Sequence, residues 1–139
     1  MRQLILIILL GTIGQCYAGP FDMDTIDNWQ IYNGTDLVLR GHDSPLGTIF
    51  QGTIKRTELK DLAIQYNHDV LQNGFDVIVD IIDDKGNILL TGNFKSRPGI
   101  RFAFRKKELE QLTNSPVTIR YREKRENGTD KILGRISFV

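Results

Sequence analysis

Each of the two histidines in the 139-residue chain is followed by an aspartate, in Gly41-His42-Asp43 and Asn67-His68-Asp69. An imidazole beside a carboxylate can ligate a metal, or act as a base whose ring the carboxylate orients. Neither pair has a third ligand at a diagnostic spacing. Ser44 follows the first pair, but no nucleophile elbow presents it, and adjacency in sequence is not the geometry of a triad. Both pairs fall in connecting stretches, where solvated polar residues are expected. Asp80, Asp83, Asp84 and Asn87 offer oxygens to calcium, without the order of a calcium-binding loop. Carboxylates are too many to single out a glycosidase pair, and no glycine-rich loop suits a nucleotide. The residues therefore read as a non-enzymatic chain with no catalytic residue, no metal ligand and no cofactor. A hydrolase or metal-binding protein built on His42 and His68 is an alternative.

The arginines carry the lead with a mechanism. Arg101-Phe102-Ala103-Phe104-Arg105 alternates strictly, which turns the phenylalanines inward and the arginines outward. The same logic turns Arg120, Arg122 and Arg135 outward if Ile119, Tyr121 and Ile136 are core. Residues 19–94 hold five Lys/Arg against twelve Asp/Glu, and residues 95–139 hold twelve against five. Arg101, Arg105, Arg120, Arg122 and Arg135 on neighbouring strands would form a basic face. Such a face could take an acidic glycan, lipopolysaccharide phosphate or an acidic envelope protein. The competing reading lays strands from the two halves side by side, so that their charges pair.

The elements that position these residues are short strands. Phe75 to Phe94 reads run-turn-run around Asp83-Asp84-Lys85-Gly86-Asn87, a hairpin expected at the middle of an antiparallel domain. Asn33-Gly34 marks an earlier type I′ hairpin between Trp29–Tyr32 and Leu37–Arg40. Asn127-Gly128 marks the tip of a last one, whose second strand runs from Ile132 to Val139. Thr48 to Ile54 and Leu62 to Tyr66 are further strands. Asn33-Gly34-Thr35 and Asn127-Gly128-Thr129 also match the glycosylation acceptor, but the turns account for the same residues.

Ile54–Leu62 and Phe104–Leu112 share the pattern apolar, basic, basic, any, Glu, Leu, two of any, Leu. Each precedes an Ile-x-Tyr strand, Ile64-Gln65-Tyr66 and Ile119-Arg120-Tyr121. The pattern predicts two short helical corners with Leu59 and Leu109 as core plugs. Either a duplication about a pseudo-twofold axis or the common need of any inter-sheet corner explains it. The fold class expected is all-β: one antiparallel β-sandwich of eight or nine short strands, with two helical turns at corners. A lipid-facing barrel would need apolar residues where the chain has Asp76, Asp80, Arg101, Arg105, Arg120 and Arg122.

Export is expected from the N-terminus. Arg2, the apolar run Leu4 to Leu10 and Cys16-Tyr17-Ala18 read as a signal peptide, residues 1–18, cleaved after Ala18. The run is too short to span a bilayer. Lipidation of Cys16 is the competing reading, disfavoured by Gln15 beside it. Residues 19–27 then form a flexible lead-in, and residues 28–139 the single domain. Cys16 is the sole cysteine, so the mature chain has no disulfide, which suits a bacterial periplasmic or extracellular protein. Nucleic acid is not an expected partner for an exported chain, and no integral span is expected. The second functional alternative is a structural envelope subunit pairing through an edge strand, expected to be the C-terminal one.

The signal peptide, the two Glu-Leu-x-x-Leu corners and the strand-ended C-terminus resemble small uncharacterised exported β-sandwich proteins of Bacteroidetes-type bacteria. That resemblance covers most of the chain. It implies export and a sandwich, and it assigns no activity and no functional residue.

Overall fold

The computed structural model describes residues 27–44, 46–68, 74–112 and 116–139. The expected signal peptide and most of the lead-in lie outside the described residues. Nine strands run in chain order: β1 (Asn28–Asn33), β2 (Asp36–His42), β3 (Gln51–Ile54), β4 (Leu62–Asn67), β5 (Asp76–Ile82), β6 (Ile88–Lys95), β7 (Arg101–Phe104), β8 (Val117–Glu123) and β9 (Asp130–Phe138). They form two sheets, ordered β2-β1-β4-β7 (sheet A) and β3-β9-β8-β5-β6 (sheet B). The fold is an all-β sandwich. Among the described residues no helix is long and apolar enough to cross a membrane.

The apolar alternation of each strand sets which face is core. Ile31, Leu62, Ile64, Val77, Val79, Ile81, Val117, Ile119 and Ile136 are fully excluded from solvent between the sheets. Aromatic rings bridge the layers at one end. Trp29 and Tyr66 of sheet A stack at 6.0 Å, and Tyr66 stacks on Tyr121 of sheet B at 4.1 Å and 9°. The Trp29 indole donates to Leu133 O across the sandwich at 2.6 Å.

The two leucine-bearing corners both cross between sheets, in opposite directions. A 3-10 turn at Arg56–Glu58 carries the chain from β3 to β4, and a helical turn at Lys106–Leu109 carries it from β7 to β8. Leu59 and Leu109 are buried plugs, as the pattern predicts. The corners also touch, since Arg56 Nη1 donates to Leu112 O at 3.2 Å. The Ile-x-Tyr strands that follow them, β4 and β8, are interior strands of opposite sheets, which is why Tyr66 and Tyr121 meet face to face.

Four expectations are corrected. The Phe75–Phe94 hairpin is not central: β5 is interior, but β6 is the edge of sheet B. The C-terminal strand is not an edge, because β9 lies between β3 and β8. Its partner β3 runs parallel to it, which no hairpin signal could announce, and begins at Gln51 rather than Thr48. The first turn is Gly34-Thr35, not Asn33-Gly34. Gly34 alone takes positive φ, at 64°. Asn33 ends β1 with its side chain buried: its amide donates to Glu58 O at 2.8 Å and its oxygen accepts from Lys60 N at 2.7 Å. Both ends of that amide are thus occupied within the fold.

Candidate functional site

The five arginines expected on one face are divided between the two sheets. Arg101 lies on β7 in sheet A, and Arg105 follows that strand at the corner. There the Arg105 backbone N–H donates to Glu108 Oε2 at 2.8 Å. Arg120, Arg122 and Arg135 lie on the outer face of sheet B, where Arg135 pairs in register with Thr118. Two of these three are neutralised. Arg120 makes a two-pronged contact with Asp130 at 2.8 and 2.6 Å. That bond raises the guanidinium pKa further and holds the Asp130 carboxyl below its usual range. Arg122 grips Asp80 through Nε at 3.1 Å and Nη2 at 2.5 Å, and Thr91 Oγ1 donates to the other Asp80 oxygen at 2.8 Å. Asp80 is wholly excluded from solvent although it sits on an outer face. The Lys95 ammonium likewise bonds Asp76 at 2.8 Å and lowers that carboxyl. Arg122–Asp80 and Lys95–Asp76 join the acidic half of the sequence to the basic half.

The histidines do not converge. His42 ends β2, exposed on the outer side of sheet A, with its ring 5.5 Å from Phe50. His68 follows β4 and is enclosed at the end of the sandwich. Its Nε2 lies 3.0 Å from Glu123 Oε1 and 3.3 Å from Tyr121 Oη, and its Nδ1 lies 3.6 Å from Asp27 Oδ2. Tyr66 Oη donates to Asp27 Oδ2 at 2.7 Å, and Tyr121 Oη donates to Glu123 Oε1 at 3.2 Å. Burial pushes both phenols well above their ordinary pKa, so they stay neutral donors. Glu123 Oε2 accepts from Arg125 Nε and from Thr129 N, at 2.8 and 3.0 Å. Lys131 completes the cluster, 2.5 Å from Asp43 Oδ1 and 5.5 Å from the Trp29 ring centre.

Both ring nitrogens of His68 face carboxylates of the fold, Asp27 on one side and Glu123 on the other. The network gives each buried polar group its partner, the condition for enclosing charges at all. It also ties Asp27, the last residue of the expected lead-in, into the domain. Asp83 has a comparable local role. Its Oδ1 accepts from Lys85 N and Asn87 N at 2.9 and 2.8 Å, and its Oδ2 accepts from Asn87 Nδ2 at 2.9 Å. These bonds cap the β5–β6 turn and lower the carboxyl, Asn87 contributing most. Among the described residues no three or more His, Cys, Asp or Glu side chains are grouped to hold a metal ion.

What the sequence reading missed is the outer face of sheet A. Register places Arg40, Gln30, Gln65 and Arg101 in one row across β2, β1, β4 and β7. The row on one side holds His42, Asn28 and Asn67, and the row on the other holds Leu37, Tyr32, Ala63 and Ala103. None of these eleven outward positions is a carboxylate. The amides form a continuous chain: Arg101 Nε donates to Gln65 Oε1 at 3.3 Å, Gln65 to Asn67 at 3.3 Å, and Asn67 to Asn28 at 2.9 Å. With the Gln30 amide turned to satisfy both neighbours, its nitrogen donates to the Tyr32 hydroxyl. Its oxygen then accepts from Arg40 Nη2 and Nε at 3.2 and 3.3 Å. The Arg101 guanidinium lies over the Tyr32 ring, 3.7 Å from its centre. Both arginines are exposed, and among the described residues neither has a carboxylate within ion-pair distance. Three strand spacings separate them, about 14 Å.

The signal for this face was present in the alternations Asn28-x-Gln30-x-Tyr32 and Gln65-x-Asn67, opposite the core residues of the same strands. Only the order β2-β1-β4-β7 makes them neighbours of Arg101. No protein-family model matches the chain, and no curated protein matches it.

Proposed function

We propose that this protein is a non-enzymatic binding module, exported to the periplasm or beyond, whose outer face of sheet A takes an acidic glycan. One observation carries the reading: a broad sheet face that, among the described residues, has two uncompensated guanidiniums, a hydrogen-bonded ladder of amides and no carboxylate. Guanidinium forks and amides are the donors that carboxylate, sulfate and hydroxyl oxygens require. The ladder and the stacking on Tyr32 hold several of these side chains in place before a ligand arrives, which lowers the ordering cost of binding. Sheet B is the weaker surface for the same ligand, because Asp130 and Asp80 already occupy Arg120 and Arg122.

The test is retention on an anionic polysaccharide column along a salt gradient, with a neutral polysaccharide column beside it. Reversing Arg40 and Arg101 to Glu should abolish retention on the anionic column and leave the fold intact by circular dichroism. Flow-through of the unaltered chain at low salt would refute the proposal. So would retention that survives the double reversal.

A further inference from the structure

Among the described residues the sandwich has four edge strands, and they are not equally protected. An open edge presents unpaired N–H and C=O groups, which proteins blunt by shortness, charge, proline or a bulge. Strands β3 and β7 have four residues each. Strands β2 and β6 each carry one register irregularity and are each approached by the other sheet, β2 by Gly52 of β3 and β6 by Phe102 and Phe104 of β7, but β2 also holds the exposed charge of Arg40. Strand β6 has eight residues, Ile88-Leu89-Leu90-Thr91-Gly92-Asn93-Phe94-Lys95, with no proline. Its one charge, Lys95, is held by Asp76.

The hydrogen-bonding phase of that edge is fixed by its last turn. Ser96 N donates to Phe75 O, and Ser96 O accepts from Gly74 N, so Ser96 faces β5. Backbone direction alternates along a strand, so Phe94, Gly92 and Leu90 also face β5. Thr91, Asn93 and Lys95 point their N–H and C=O groups away from the sheet. The one register shift in the β5–β6 ladder lies beyond Leu90, so it does not disturb this phase.

From this we infer that β6 is the dimer interface of the protein, pairing antiparallel with β6 of a second copy and placing Gly92 on the twofold axis. That register is self-complementary on both faces. Thr91 of each copy forms a hydrogen-bonded pair with Asn93 of the other, through backbone groups that already point outward. On the inner face, half-buried Leu90 meets half-buried Phe94 of the other copy and extends the core. Gly92, whose inner face is covered by its own Phe94 ring, occupies the closely spaced non-hydrogen-bonded position. The two five-stranded sheets become one of ten strands, closed by symmetry so that it does not grow into a filament.

Sedimentation velocity of the full chain across a concentration series tests this, with Asn93→Pro and Asn93→Lys as variants. Asn93 N–H points away from β5, so the proline removes an interface donor and no intramolecular one. The lysine guards the edge while keeping the backbone intact, and it decides the matter if the proline variant misfolds. The expected result is twice the chain mass for the unaltered protein and the single chain mass for both variants. Hydrogen exchange should show the Thr91 and Asn93 amides slowed at least tenfold at high against low concentration. A monomer at every concentration overturns the inference. So does a dimer that both variants leave intact, or a monomer whose β6 amides are already protected, which would mean another segment fills the edge.

Discussion

Replacing Arg122 by leucine and, separately, by alanine tests whether this arginine holds a ligand or holds the fold. Its guanidinium is bound to Asp80, whose side chain is fully excluded from solvent on the outer face of β5 between Ile78 and Ile82. Removing one partner of an enclosed ion pair costs about 3–5 kcal/mol, because the remaining charge has no compensation. Thr91 still donates one bond to Asp80 in either variant. Leucine keeps much of the cover over the carboxylate, so Arg122→Leu should cost about 4 kcal/mol. Alanine opens that cover and lets water reach Asp80, so Arg122→Ala should cost less, about 2–3 kcal/mol. For a domain of this size these losses correspond to melting temperatures lower by roughly 15 and 10 °C. Adding Asp80→Leu to Arg122→Leu should restore most of the loss, since apolar replacement of both members of such a pair is near neutral. Urea unfolding followed by tryptophan fluorescence measures all of these, with Trp29 as the reporter. Neither single variant should weaken polysaccharide retention once scored at a temperature where it is folded. A loss below about 0.5 kcal/mol for both, or an alanine variant less stable than the leucine one, would refute the reasoning.

Two further outcomes follow from packing and charge. Gly41→Ala should destabilise by about 2–3 kcal/mol, because its Cβ would lie 2.3 Å from Trp29 Nε1 and that indole is anchored to Leu133 O; unchanged urea unfolding would show the ring can move. Stability should also be lost at both ends of the pH scale. Asp76, Asp83 and Asp130 have depressed pKa values in the fold. Their contribution is present above the unfolded carboxylate value near pH 4 and disappears as pH falls through the folded values. Tyr66 and Tyr121 are shifted upward, so their contribution is present below about pH 10 and declines as pH rises past it. Thermal melts from pH 2 to 11 check this; a melting temperature unchanged between pH 7 and pH 3 would contradict the carboxylate part.

The sequence by itself determined what local periodicity and turn chemistry can encode. Alternation in β4, β5, β7 and β8 named the buried residues, and a spaced leucine in each corner named Leu59 and Leu109. Strand class followed, because period two buries one face whatever lies beside it. Tertiary structure alone decided which strands became neighbours, and with that every surface property. An outward arginine looks the same in sequence whether the adjacent strand offers it Asp80, diagonally on β5, or Gln65 on β4, yet among the described residues Arg122 is compensated and Arg101 is not. His68 meets Glu123 fifty-five positions away because two interior strands of opposite sheets share an end. The parallel β3–β9 pair buried the C-terminal strand and left β6 as the longest edge. Lateral order is set by long-range packing between sheets, for which a single chain has no short-range code.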